Sequence, residues 1–454
     1  MKNVSRTAAG RLGQAARQTL RRLARFFPGL FASPLGRSVR TLHLSACMVY
    51  LFFLLLLLTQ LFGFYVYLPV LGKLYSTDFT FLCLIVLAGA SLVYSVSITK
   101  RVRLSFRFAP QILCFLALML LEIPVTWLIV RQPIHLIAKE AVYYFVPPLC
   151  FFALLQYPEI RQRDFLPRLL RLIVLFSIVS SAVALTAFSL YSLAEINLLQ
   201  VTVTSALIRN GSIRLKVGGI VLYTGLIISM VRVLERNAGR ADAVNLILGL
   251  IHVVFVSKTR TVVLYLAAVF FLVMMTEKKT HWLVKLLFLF LSAALLIFAF
   301  ILSDSLTPAL YSYLYGDAGF VVRLRAISHY WEQFLAHPLT GIGLISSSKS
   351  IAGWQLLYGP AGQYYRSDVG LIGLINEFGL LGLIWSLWFL FGAFRAAGRS
   401  GSPTARTVKS LLLYLTVGLI NLSFLDPGRC MYLFLIYTFL ETMPGQKTGP
   451  GRFP

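Results

Sequence analysis

Residues 108–130 read FAPQILCFLALMLLEIPVTWLIV, and after Arg131, Gln132 and Pro133 a second apolar run follows, IHLIAKEAVYYFVPPLCFFALL over Ile134–Leu155. A helix needs about 20 apolar residues to cross ~30 Å of hydrocarbon. Two such runs with a three-residue connection predict a pair of antiparallel membrane spans. Comparable runs lie at Leu42–Phe62, Phe79–Ile98, Leu169–Tyr191, Val217–Leu234 and Trp282–Ser303, with shorter ones at Ala243–Val256 and Thr261–Thr276. The last three are Val369–Phe394, Leu411–Leu425 and Cys430–Met443. The expected fold is all-α: a polytopic transmembrane helical bundle of about 12 spans.

Composition agrees. Apolar residues make up 58% of the 454-residue chain and charged residues 13%; mean hydropathy is +0.80. A soluble globule carries roughly a quarter charged residues, so the excess apolar surface here must face lipid. A net charge of +26 would suggest nucleic acid in a soluble protein. Here the charge sits in short loops between apolar runs, where it serves as a topology signal, and no nucleic-acid partner is expected. Cys47, Cys83, Cys114, Cys150 and Cys430 fall in or beside apolar runs and form no CxxC; the six histidines include no HExxH. Neither a metal nor a cofactor is expected.

Residues 1–41 hold nine Lys/Arg and no acid; Asp78 is the first acidic residue. Three readings fit the stretch Arg11–Phe31: an amphipathic helix on anionic headgroups, an Arg-rich transit peptide, or a basic tail that fixes orientation. With the N-terminus cytoplasmic and loops alternating, the inner set holds 29 of the 42 Lys/Arg, and every inner loop is basic. That satisfies the positive-inside rule. The expected organisation is a basic cytoplasmic segment 1–41, a transmembrane domain 42–443, and a cytoplasmic tail 444–454. Outer loops fall at about 192–216 and 304–367, the larger between spans 9 and 10.

Thirteen basic residues remain off the cytoplasmic side. Charge at membrane depth costs ~2.5–3.5 kcal/mol on insertion scales and tends to mark function. Three groups stand out: Arg214 and Lys216, shortly after Arg209; Lys258 and Arg260 in SKTR; and Arg323 and Arg325 in VVRLRAISHYW. Singly, each has a bland rival in snorkelling to lipid phosphates. Together they predict an outward anion site, for which arginine's fork is well shaped. Beyond Arg323 come HPLTGIG (His337–Gly343), the aromatic segment ending Tyr364, Tyr365 and Arg366, and the return run SDVGLIGLINEFGLLGLI (Ser367–Ile384). Asp368 and Glu377 are nine residues apart, which in a continuous helix sets them on opposite faces. That spacing argues against an acid/base pair and for Glu377 as a buried packing or ion-pair partner.

The stretch from about Arg209 to Gly382 resembles the O-antigen ligase/polymerase family of bacterial membrane glycosyltransferases. RLKVGG looks like that family's arginine at an outer span mouth (Arg214). SKTR looks like its serine/arginine motif (Arg260). The run from Arg323 through Pro338, Leu339, Gly341 and Gly343 looks like its arginine followed by Pro-Leu-x-Gly-x-Gly. Ligases of the family carry a His-Asn pair eleven residues before the glycine of ExG; here that position, counted from Gly379, is Asp368 followed by Val369. The acidic replacement is closer to the polymerase branch and its capsule and exopolysaccharide relatives.

The resemblance implies glycosyl transfer on the outer face of a bacterial cytoplasmic membrane, with both termini cytoplasmic. Repeat units carried on a polyprenyl diphosphate would be joined, with undecaprenyl diphosphate as the carrier class. Arg214, Arg260 and Arg323 would hold the diphosphate and Asp368 would orient or deprotonate the acceptor, its rivals being a helix cap or a counter-ion. Arg209, Lys216, Lys258, Arg325, Tyr364, Tyr365 and Arg366 are secondary candidates. A chain-length regulator and a flippase of the same pathway are the implied partners. The rival classes are a transporter, either a flippase for polysaccharide or lipid-linked oligosaccharide or a twelve-span solute carrier, and a non-catalytic assembly or sensing protein of the envelope.

Overall fold

The turn Arg131–Pro133 forms as the sequence demands. In the computed structural model α2 (Ala109–Val130) ends where Arg131 takes a left-handed conformation (φ 58°) and donates its N–H to the Trp127 carbonyl; Pro133 then opens α3 (Ile134–Leu154). The described residues are 65–68, 72–94, 96, 106–157, 160, 162, 164–197, 208–209, 212–215, 219–276, 282–283, 285, 318–347, 351–400 and 402–443, all within the unit Val49–Pro454. The expected spans Leu42–Phe62 and most of Trp282–Ser303, with both termini and Lys216, lie outside them.

Among the described residues the chain is all-α but for two small hairpins, β1–β2 (Tyr65–Leu68, Gly72–Tyr75) and β3–β4 (Ile208–Arg209, Ser212–Ile213). The remaining helices are α1 (Ser76–Tyr94), α4 (Phe165–Ala194), α5 (Gly219–Leu234), α6 (Arg240–Ile251, continued by a π-turn His252–Val256), α7 (Arg260–Thr276), α8 (Ala318–Ala336), α9 (Ile351–Tyr358), α10 (Gly370–Arg399), α11 (Pro403–Gly418) and α12 (Met431–Thr442). Four of them, α2, α3, α4 and α10, are long and apolar enough to cross a membrane; α5, α12 and parts of α1 and α7 are apolar but shorter. The chain is thus a helical membrane protein with several spans. On α10 the exposed residues Leu380, Ile384, Leu387 and Phe391 form one stripe, while Phe378, Trp385 and Phe389 face inward. An exposed apolar stripe of this spacing suits lipid.

One expected span is displaced. The run Leu411–Leu425 predicts a helix there, but α11 covers Pro403–Gly418. Its start is set by local capping: Ser402 accepts the Thr404 N–H (3.2 Å) and Pro403 occupies the first turn, a strong start signal. Hydropathy misses it because Arg406 and Lys409 fall in the first two turns, where Arg406 is drawn to the buried Glu235 (2.9 Å).

The bundle has two chemically distinct ends. Trp385 Nε1 donates to the Gln111 carbonyl (2.8 Å), whereas Thr126, one helix length away, meets the Gly343–Leu344 backbone; α2 and α10 therefore run antiparallel. One end gathers Arg107 and Arg399, Arg232 with Asp242 (3.1 Å), and Arg406 with Glu235. The other gathers Arg131, Arg323, Arg366 and Arg429. This is the same partition that alternate loops produce in the sequence.

At the second end, α10 is broken. Gly379 has φ 59° and ψ −157° inside the helix. In an unbroken helix the N–H groups of Leu380 and Leu381 would bond the carbonyls of Asn376 and Glu377. Here Leu380 and Leu381 donate to Pro338 and Leu339 (2.9 and 3.1 Å), while Asn376 and Glu377 accept from Ile342 and Gly343 (2.8 and 2.9 Å). The segment 338–343 is spliced into the break, and all four groups are satisfied. A Cβ on Gly379 would stand 2.3 Å from the Leu339 carbonyl oxygen, and one on Gly341 2.5 Å from that of Asn376. Gly341 and Gly379 are there for backbone-to-backbone contact, while Gly343 leaves room for the Thr126 side chain.

Gly379→Ala should therefore cost about 2 kcal/mol or more, from the positive φ and the clash with fixed backbone. Gly398→Ala, helical with nothing within 4 Å of the new Cβ, should be neutral or mildly stabilising. Thermal melting in detergent, comparing the two variants, checks both.

Candidate functional site

The spliced segment forms a floor, clamped from α2. Gln132 makes two bonds to Ser346, Nε2 to its carbonyl (2.7 Å) and Oε1 from its N–H (3.0 Å); Thr126 Oγ1 accepts from Leu344 (2.8 Å) and donates to the Glu122 carbonyl (2.7 Å). Above the floor, Arg366 reaches inward. Its guanidinium binds Glu377 (2.7 Å) and the Gly343 carbonyl (3.1 Å), and Tyr144 Oη donates to Glu377 Oε1 (2.8 Å). Glu377 is thus an ion-pair partner, as the sequence reading expected. Arg366 is spent on it rather than turned towards a ligand.

Asp368 lies before the return helix, not in it. Residues Arg366–Asp368 form a short 3-10 turn, and α10 begins at Gly370 with Val369 in the cap position. The half-turn argument separating Asp368 from Glu377 does not apply, although the conclusion stands: Arg366 draws Glu377 inward while Asp368 opens onto a cavity. Its side chain makes no cap bond for α10. The structure instead sets it 4.0 Å from Arg323, both about 40% exposed. A pair so exposed is worth about 0–1 kcal/mol, so either partner is cheaply released to a ligand.

That cavity, about 410 Å³, is lined by Val322, Arg323, Ala326, Gly362, Gln363, Tyr365 and Asp368. Val322, Arg323 and Ala326 share one face of α8. Arg325, two residues on, points elsewhere and is exposed, as a 100° step per residue requires. Tyr365 is 53% exposed and meets Tyr358 edge-on (5.6 Å), which meets Trp354 (5.9 Å). Tyr364 is turned the other way, against His329 (5.3 Å) and the cluster of Ala326, Tyr330 and Val369. Tyr330 donates its hydroxyl to the Leu357 carbonyl, and burial pushes that phenol above its ordinary range; it anchors α9 beneath the cavity.

The second cationic group lies around the π-turn. Arg214 Nε donates to the Ser257 carbonyl (2.8 Å), and Leu215 pairs with Val256 (3.1 Å). Lys258 has φ 49° and sets its ammonium 6.0 Å over the Phe188 ring. Arg260 starts α7 and Arg209 lies in β3, but their side chains are outside the described set.

A residue that the sequence reading did not single out links the two groups. Arg429 donates to the carbonyls of Ser367 (3.1 Å) and Ser423 (3.2 Å) and lies 3.8 Å from Asp426. Arg429 and Arg214 both stand within electrostatic reach of Tyr223; Arg429 and Arg323 both stand within reach of Tyr265. Tyr414 sits between these rings, 6.0 Å from Tyr223 and 6.4 Å from Tyr265, with Tyr432 at 6.3 Å. Arg214, Arg323 and Arg429 therefore all act on one cluster of tyrosines. Asp-Pro-Gly-Arg reads as a plain turn in sequence; only the alternation of loops separates Arg429 from the cytoplasmic cations.

No protein-family model matches the chain, and no curated protein is similar to it. Among the described residues no group of three or more His, Cys, Asp and Glu side chains could hold a metal ion.

Arg366→Ala leaves Glu377 buried and unpaired and should cost about 3–5 kcal/mol, whereas joint replacement by Arg366→Met and Glu377→Leu should recover most of it. A double-mutant cycle followed by thermal or denaturant unfolding in detergent measures the coupling.

Proposed function

We propose that the chain is a membrane glycosyltransferase of the polysaccharide-polymerase kind, joining oligosaccharide repeat units carried on a polyprenyl diphosphate. The observation that carries this reading is the meeting of Arg323, Asp368 and Tyr365 in one open cavity. A diphosphate leaving group needs fixed positive charge where its negative charge develops, and a guanidinium supplies it without reorganisation. A carboxylate beside that guanidinium can take the proton of an attacking hydroxyl. The exposed Tyr365 ring offers a face to a sugar. In the step itself, the acceptor oxygen bonds to the anomeric carbon, the bond from that carbon to the diphosphate oxygen breaks, and Asp368 receives the hydroxyl proton. The lipid diphosphate departs under Arg323, with Arg214 and Arg429 farther along the same end.

In this reading the cavity faces outward from a bacterial cytoplasmic membrane, about 12 spans are present, and a flippase and a chain-length regulator are the natural partners. The concentration of Lys and Arg in alternate loops of the sequence supports that orientation through the positive-inside rule.

One observation favours a second reading. Helices broken mid-course, like α10 at Gly379, build the substrate sites of secondary transporters. A lipid-linked oligosaccharide transporter would use the same cationic end as a binding site without bond formation.

Reconstitution in vesicles with a lipid-linked repeat unit separates the two. Arg323→Ala and Asp368→Asn should each reduce chain extension about 100-fold or more, with protein levels unchanged. Full extension by both variants overturns the site, and movement of the substrate across the bilayer without new glycosidic bonds establishes the transporter.

A further inference from the structure

Glu122 is a buried titratable group that neither the cavity nor the ion pair uses. It lies in α2, one turn before Thr126, at 0% exposure. Among the described residues neither carboxyl oxygen has a hydrogen-bond partner. Its Oε2 stands 3.2 Å from the point a Cβ on Gly343 would occupy, so it packs on the residue whose carbonyl receives Arg366. The charged groups facing it are Glu377 from α10 and Arg366 from the turn preceding that helix. From α3, the Tyr144 hydroxyl is committed to Glu377, and within α2 the Thr126 hydroxyl is committed to the backbone. Glu140 and Asp426 act on Glu377 at longer range.

The charge balance is therefore two carboxyl groups to one guanidinium. Arg366 neutralises Glu377 at 2.7 Å. A second ionised carboxylate, dry and without a donor, would be uncompensated in a low-dielectric interior, and like charges sharing one site resist joint ionisation. We infer that Glu122 is a membrane-embedded proton-binding site, holding its proton while Arg366 is paired with Glu377 and releasing it when Arg366 is freed to serve Glu122 instead. On release the Glu122 O–H bond breaks, its electron pair stays on the carboxylate, and the proton passes to water at the cavity end of the bundle. Arg366 is then shared between two carboxyl groups of which one is ionised at a time.

Infrared spectroscopy of the full chain in lipid vesicles at neutral pH reads this directly. The parent should show the carbonyl stretch of a protonated carboxylic acid, shifted in heavy water, and Glu122→Gln should abolish it while folding as well as the parent. Glu377→Gln should also remove the band, because Arg366 turns to Glu122 and ionises it. Arg366→Gln should about double it as both carboxyls take protons, which supplies a second reading of the coupling should Glu377→Gln fold poorly. A parent without the band, or a band unchanged in Glu122→Gln, overturns the proton site. A band unaffected by both Glu377→Gln and Arg366→Gln overturns the sharing.

Discussion

The exchange of backbone hydrogen bonds at Gly379 is the constraint on which the second end of the bundle depends. Two N–H groups and two carbonyls of α10 give up each other and take partners from residues 338–343. Inside a bilayer such groups have no water to fall back on, and each left unmade would cost several kcal/mol. The splice is therefore all or nothing. Once it forms, Gly343 is fixed beneath Arg366, Leu344 and Ser346 are fixed against α2 through Thr126 and Gln132, and the chain that follows must emerge at one place. Tyr365 and Asp368, which flank Arg366 along the chain, line the cavity.

Rigidity below and exposure above give the two carboxylates of the return segment different fates. Glu377 sits on the floor, within a network of Arg366 and Tyr144, and its geometry is fixed by three elements. Asp368 stands only two residues past Arg366, yet on a 3-10 turn outside the helix, half-exposed and loosely opposed to Arg323. A carboxylate suited to exchanging partners is the second kind. The same contrast divides the arginines: Arg366 is consumed by structure, Arg323 is not, and Arg429 is intermediate, tying Ser367 to Ser423 at the edge of the tyrosine cluster.

The sequence revealed those features that depend on local periodicity. The paired runs around Arg131–Pro133 became α2 and α3, because that signal is local and strong. The sorting of basic loops anticipated which charges share an end. What stayed hidden was non-local. The exception is the start of α11, decided by a local Ser-Pro cap that a hydropathy window averages away. The break in α10 needs a partner segment some forty residues upstream, and a lone glycine in an apolar run carries no mark of it. Asp368 and Tyr365 were legible as candidates by type and order, but their sharing of a cavity with Arg323, and the facing of Tyr364 away from it, follow from the turn at Arg366. Arg429 and Glu122 were missed because each belongs to a group assembled from distant helices.

Buried charge finally limits what the site can be built from. Placing Arg366 against Glu377 at the level of the floor neutralises both and removes that guanidinium from any ligand's reach. The cations of this end that remain for the proposed anion site are Arg323, Arg214 and Arg429, which act on the buried tyrosine cluster. Under the proposed function, a diphosphate headgroup would be met by Arg323, Arg214 and Arg429 above this neutralised floor. A floor with a free cation would instead draw the anion inward along the helix break. On that physical ground the distribution of charge supports the proposed chemistry beside Arg323 over the alternative of passage through the bundle.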